Sequence, residues 1–237
     1  MTTTTSSLTD PLDLPSRRLI RTVDALPEHA WPAPSLLPGW TRAHVVAHLA
    51  LNAEGLAGAV VGVLEGRPVT MYPSAERRDT DIDELGAAGP AAIRDRLFGA
   101  TTVIREALAA LAAEPTLSET LIDRTPGGTR RFHAGQVAAM RLREVEIHHV
   151  DLDAGYSPAD WPLDFARALV EGGVKRQPVE ATLVATDLDR TWTCGGPGGP
   201  TVTGPACGLA WWLTGRAPYP GVELTSDDGV LPGIEAL

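Results

Sequence analysis

The sequence holds six histidines, all at or before position 149. In the stretch Arg143-Glu144-Val145-Glu146-Ile147-His148-His149-Val150-Asp151, Glu144 and His148 are four apart. On an α-helix that spacing separates them by about 40° and one turn, so both side chains can reach one point. His149 is turned by about 100° from His148, and Glu146 by about 200° from Glu144, so both are expected at the surface or behind the ligands. Asp151 returns to within about 20° of Glu144 and can take a hydrogen bond from a ligand's free ring nitrogen. A second pair four apart, His44 and His48, lies in Trp40-Thr41-Arg42-Ala43-His44-Val45-Val46-Ala47-His48-Leu49. If His48 faces the Glu144 helix, then His48, Glu144 and His148 form the two-histidine, one-carboxylate set that suits a catalytic zinc with an open fourth position. Spacing alone leaves two other readings: a solvated Glu144–His148 pair, and helix-capping or core roles for His44 and His48. The absence of cysteine ligands argues against a closed structural zinc site.

The elements that must position these residues are helical. From about Pro15 to Asp153 apolar residues recur at three and four, the period of amphipathic helices. Four helices are expected: Ser16 to His29; one after the Thr41 cap, ending near Gly66-Arg67-Pro68; Asp83 to Ala113, with a boundary or kink at Gly89-Pro90; and Ala134 to Ala154, stopped by Gly155. With one long connection, Arg67 to Ile82, they suggest a four-helix bundle whose core is built from facing helices. After Trp161 the texture becomes mixed. A helix is expected over Asp164 to Val174, strands at Ala181 to Thr186, Arg190 to Cys194 and Val202-Thr203, a short helix over Ala206 to Thr214, and a last strand at Val222 to Thr225. The glycine-rich stretch Gly195 to Gly199 lacks a GK[ST] ending and reads as a turn. The fold class is therefore α+β, a helical bundle over residues 1–160 and a small α/β domain over 161–237.

Composition bounds the function. The 237 residues include 43% hydrophobic and 21% charged side chains, ordinary for a globular chain, and no apolar run approaches the roughly 20 residues that cross a bilayer. No membrane partner is expected. Thirty acidic against twenty basic residues give a net charge of −10, which disfavours nucleic acid as a ligand. Cys194 and Cys207 are spaced neither as a redox pair nor as thiolate ligands and are expected to be buried small hydrophobes, which suits a reducing cytoplasm. The N-terminal MTTTTSSLTDPLDLPSRR lacks the order of a secretory signal and reads as a frayed leader. Trp211 and Trp212 are expected in packing.

Four segments together resemble a known family: Pro38-Gly39-Trp40 through His48-Leu49, Met71-Tyr72-Pro73-Ser74 through Arg78-Asp79-Thr80-Asp81-Ile82, Arg143-Glu144 through His148-His149-Val150-Asp151-Leu152, and Leu213-Thr214-Gly215-Arg216. In that order they are similar to the mycothiol-dependent maleylpyruvate isomerases of actinobacteria. Lys175 as the sole lysine among twenty basic residues suits the GC-rich genome of such a host. The resemblance implies a DinB-like four-helix bundle joined to a small α/β domain, and zinc bound by His48, Glu144 and His148. It also implies mycothiol as the thiol cofactor and a small-molecule substrate, with Arg78 and Arg216 holding the two carboxylates of maleylpyruvate. The implied reaction is cis–trans isomerisation to fumarylpyruvate, a step of aromatic breakdown, by thiolate addition, bond rotation and elimination. Two alternatives remain: transfer of mycothiol to another electrophile, and a non-catalytic binding module.

Overall fold

The structure is a computed structural model that describes residues 10–67 and 69–235. The chain divides into two compact units between Ala154 and Gly155. The first half of the expected frayed leader lies outside the described residues, but its last part does not fray: Asp13–Ala25 is helix α1, with Ser16, Leu19 and Val23 buried. This helix stops short of His29 because Leu26, which precedes Pro27, is forced to extended geometry (φ −64°, ψ 120°).

Helix α2 (Arg42–Leu64) starts at Thr41 and is buried along most of its length. By length and composition it could cross a bilayer, with a mean hydropathy of 1.4 in its most apolar window, an exception to the expectation that no apolar run is long enough. That window is 72% buried inside the protein, so its apolar surface is already spent on packing.

The expected third helix is two helices. α3 (Ala75–Gly86) and α4 (Pro90–Ala112) are separated where Gly89 takes φ 91°, a conformation that only glycine adopts without strain, and where Pro90 begins the next helix. Helix α3 therefore fills the second half of what was expected to be a long connection. It escapes the apolar period because Ile82 is its one buried residue; it is instead held by its Ser74 cap, whose hydroxyl accepts from Arg77 N at 3.0 Å, and by the Arg77–Asp81 ion pair.

A short antiparallel hairpin, β1 (Leu121–Asp123) with β2 (Arg131–His133), joins α4 to α5 (Val137–Asp151) and was not expected, its strands being only three residues long. Helix α5 begins three residues later than expected, after a 3₁₀ turn over Ala134–Gln136. In the bundle α2 packs on α4 and α5, and α1 packs on α5 and α4, which closes a ring of four helices, with α3 laid against α2. Along the hairpin, Met71 N donates to Asp123 O (3.1 Å) and Tyr72 N to Arg124 O (2.9 Å), fixing the segment that leads into α3.

The second unit contains α6 (Leu163–Gly173), β3 (Ala181–Ala185), β4 (Arg190–Cys194), β5 (Thr201–Gly204), α7 (Ala206–Trp212) and β6 (Thr225–Ser226). Its sheet has the order β4-β3-β5-β6, with β3 antiparallel to β4 and parallel to β5. In the turn between β3 and β4, Asp187 Oδ1 accepts from Ala206 N at 2.8 Å and so tethers the start of α7. The glycine-rich stretch is the turn between β4 and β5. The last strand starts later than expected, since Val222 N donates to Tyr219 O and holds Val222 in a turn. The architecture is α+β with a helical N-terminal part.

Candidate metal centre

Thr41 caps α2 in an unusual way. Its hydroxyl accepts from His44 N (3.4 Å) and lies 2.6 Å from His44 Nδ1, while Thr41 N donates to that same ring nitrogen (3.3 Å). His44 thus satisfies the free donors of the helix start, with its Nε2 3.6 Å from Asp83 Oδ1, and plays the role that glutamate has in an ordinary capping box. One turn further on, His48 points into the bundle and is 4% exposed.

His48 Nε2 lies 2.9 Å from Glu144 Oε2, and His148 Nε2 lies 3.3 Å from the same oxygen. One ligand atom from each of His48, Glu144 and His148 falls within 4.8 Å of the others. The rings of His48 and His148 meet edge to face at 4.7 Å, and Trp40 packs its edge on His48 at 5.5 Å. Behind His148, fully buried Asp151 places Oδ2 2.8 Å from Nδ1. A carboxylate there fixes the tautomer and leaves the lone pair or proton of Nε2 aimed at Glu144.

Electrostatics prepare the same three groups. Burial pulls the His48 pKa down to about 4, outweighing its hydrogen bond to Glu144, so its imidazole is neutral at pH 7. Burial opposes charge on Glu144 too, but hydrogen bonds from His148 and His48 win and hold its carboxyl well below the usual range. For His148, burial is outweighed by Asp151 and Glu144 together, and its pKa rises. Two imidazole nitrogens and one carboxylate oxygen, closely gathered and backed by a second carboxylate, are a donor set that fits zinc or a similar divalent transition ion.

Arg78, on α3, reaches the rim of this cluster. Its Nη2 is 3.3 Å from His48 Nδ1, its Nη1 2.6 Å from Asp79 Oδ1, and its Nε is buried without an acceptor. A buried guanidinium donor with nothing to accept it is suited to an anionic ligand. Arg77, by contrast, is exposed and paired with Asp81 and Glu84. Arg216 belongs to the second unit, where it follows α7, stacks 5.2 Å from the Trp211 ring and donates to Thr214 O at 3.3 Å. Trp211 and Trp212 are buried in that unit.

Of the two places expected for Glu146 and His149, the surface is excluded: each is 1% exposed, and His149 Nε2 sits 2.7 Å from the Thr22 hydroxyl of α1. The reason is that α5 packs on both α1 and α2, so the face turned away from the His48–Glu144–His148 cluster is also interior. Sequence reasoning also missed the polar residues flanking the cluster, Asn52 one turn beyond His48, Arg141 one turn before Glu144, and Tyr72. The signal available was their helical register, since positions four after His48 and three before Glu144 share the ligands' faces. Burial raises the pKa of both Cys194 and Cys207, so neither is an activated thiol.

Residues 12–153, which hold all three of these converging side chains, match the profile of the mycothiol maleylpyruvate isomerase N-terminal domain. The chain belongs to this family. Among solved structures, that of a mycothiol-dependent maleylpyruvate isomerase is similar with a TM-score of 0.85 and 26% identity, over 96% of this chain and 94% of that one. A histidine-to-alanine variant of that enzyme is similar with a TM-score of 0.84 and 25% identity over the same shares. No curated protein matches the chain at a significant level.

Proposed function

We propose that this protein is a zinc-dependent, mycothiol-dependent isomerase that converts maleylpyruvate to fumarylpyruvate. The observation that carries the reading is the convergence of His48, Glu144 and His148 within 4.8 Å, beside an arginine with an unsatisfied buried donor, inside the span that matches the family. When bound by these three side chains, zinc would supply an open coordination position and the positive charge that lowers the pKa of a thiol.

The chain's own residues do the rest. Neutral His48 and ionised Glu144 present lone pairs, and Asp151 keeps His148 in the orientation that directs Nε2 to the same point. The guanidinium of Arg78 holds a carboxylate of the electrophile next to the place where sulfur arrives, and Arg216 is assigned the other carboxylate. Rotation about a cis double bond requires its temporary loss, which addition and later departure of the thiol achieve with no net proton exchange. No general base is therefore assigned. The chain is expected to work in the cytoplasm, where the small thiol is kept reduced.

The test is incubation of zinc-loaded protein and mycothiol with maleylpyruvate. The expected result is loss of the cis compound, appearance of fumarylpyruvate and constant thiol concentration. Consumption of one thiol per turnover would instead identify a transferase, and no reaction together with no bound metal would leave a binding module.

A further inference from the structure

Arg141 stands out in the bundle. It is 2% exposed, and among the described residues no carboxylate lies within ion-pairing distance of it. Its Nη1 donates to Leu49 O at 2.8 Å and to Asn52 Oδ1 at 2.9 Å. Burial draws its pKa down to about 10, against the pull of Glu144 and Tyr72, so it remains a cation at neutral pH. Keeping a charge in a core without a counter-charge is costly, and two neutral oxygens offset only part of that cost.

What the cation does is impose direction. An arginine only donates, so the side-chain oxygen of Asn52 must face it, and the amide NH₂ of Asn52 is left to face the Tyr72 phenol. Tyr72 also meets Arg78, again a donor only, whose guanidinium lies 5.9 Å from the centre of the Tyr72 ring and 3.3 Å from His48 Nδ1. One guanidinium therefore spans the short distance between the phenol and the metal-site histidine. The side chains that act on the Tyr72 oxygen, Asn52 NH₂ and Arg78, are both donors, so its hydrogen is directed to neither of them. Among the described residues no hydrogen bond from that hydroxyl to a carboxylate or carbonyl is formed. The ring is held in place by its backbone bond to Arg124 O and by close approach to α2 at Gly55, where a Cβ would come within 3.2 Å of Tyr72 Cε1. His48, Asn52 and Gly55 lie at i, i+4 and i+7 on one face of α2.

We propose that Tyr72 is the hydrogen-bond donor to the oxyanion that develops on the electrophile, and that Arg141, acting through Asn52, is the positioning residue that aims it. The proposal rests on the isomerase reading. When sulfur bonds to an alkene carbon, the π pair moves onto the oxygen of the conjugated ketone, and the Tyr72 O–H donates to that oxygen. The carbon–carbon single bond rotates, the pair returns to re-form the alkene, and the carbon–sulfur bond breaks. The phenol keeps its proton throughout, and the thiol leaves as it came. Donors behind a phenol strengthen it as a donor, and the ketone oxygen carries full charge only during reaction, so the effect falls on kcat.

The experiment compares Tyr72→Phe, Arg141→Met and their double variant with wild type, each zinc-loaded and assayed with mycothiol and maleylpyruvate. Tyr72→Phe is expected to lower kcat about 10²-fold with KM within about twofold and zinc content unchanged. Arg141→Met should lose about tenfold, and the double variant should be within about twofold of Tyr72→Phe, because Arg141 acts through the phenol. Should Arg141→Met fail to fold, Asn52→Leu interrupts the same relay. A second measurement does not need turnover: calorimetric titration with acetopyruvate, an ionised 2,4-dioxo acid whose enolate oxygen resembles the oxyanion. Binding about tenfold weaker to Tyr72→Phe than to wild type supports the donor role even if wild type fails to isomerise, in which case the isomerase reading alone falls. Unchanged kcat in Tyr72→Phe, equal binding of the probe to both proteins, no binding to wild type, or losses that multiply in the double variant overturn the proposal.

Discussion

At the scale of single residues, adjacent histidines on one helix have opposite tasks. His148 turns to Glu144 and Asp151, while His149 turns to Thr22 on α1. His148→Ala is therefore expected to lose most bound zinc, and also some stability, since it leaves buried Asp151 without its imidazole partner. His149→Ala should keep its metal and lose about 1–3 kcal/mol of stability, since the Thr22 hydroxyl is left without its buried partner. Metal analysis and denaturant unfolding of the two variants check this, and equal metal loss in both would refute the register. The histidines of α2 divide in the same manner. His48→Ala should abolish activity with helix content intact, whereas His44→Ala should cost about 1 kcal/mol of stability through the lost cap and leave turnover nearly unchanged. Circular dichroism with steady-state kinetics separates them.

At the scale of elements, α2 is the post on which the site is assembled. Its N-terminal end presents His48, its next turn Asn52, and the absence of a side chain at Gly55 lets the segment before α3 come into contact. A Cβ at position 55 would stand 2.8 Å from Met71 O and 3.2 Å from the Tyr72 ring. Gly55→Ala should thus cost about 1–3 kcal/mol by overpacking and should displace Tyr72 and Arg78 without touching a metal ligand. The expected outcome is a lower melting temperature and a reduced kcat at full zinc content; wild-type kcat would show that the segment's position is not critical. Helix α3 brings Arg78 to His48 although almost nothing of α3 is buried. Its short-range supports, the Ser74 cap and the Arg77–Asp81 pair, are what a solvated helix needs.

At the scale of the whole molecule, the proposed function assigns one carboxylate of the electrophile to Arg78 of the helical unit and the other to Arg216 of the α/β unit. All three metal-site residues lie in the helical unit, and Arg216 lies in the α/β unit, stacked on Trp211. Arg216→Ala should lower kcat/KM for maleylpyruvate by roughly one to two powers of ten, the usual cost of a charge-assisted hydrogen bond, and leave zinc content and mycothiol binding intact. Unchanged kcat and KM would remove Arg216 from substrate binding and favour an uncharged electrophile. The net charge of −10 gives this assignment weight, since a dianionic substrate needs concentrated local cations to overcome the field of the protein.

The helical bundle and the spacing that lets Glu144 and His148 share a point could be read directly from the sequence, because helix periodicity and i, i+4 geometry are local properties. So could the β3–β4 hairpin, where apolar alternation flanks an aspartate-rich turn. Other features were settled only when helices met. Whether His48 or His44 faces Glu144 depends on how α2 is rotated against α5, and that His44 takes the capping role, one of the readings its spacing left open, is decided once its ring is seen on Thr41. The burial of Glu146 and His149 follows from α5 having neighbours on two sides, which no pattern within one helix discloses. Helix α3 and the three-residue hairpin escaped because one is nearly all solvated and the other too short for periodicity. The Arg141–Asn52–Tyr72 relay joins three separate segments, and a cation's orienting effect acts through space. Sequence thus determined which side chains each helix could offer to one point, and tertiary packing decided which of them share a low-dielectric interior, where charge and hydrogen-bond direction acquire chemical consequence.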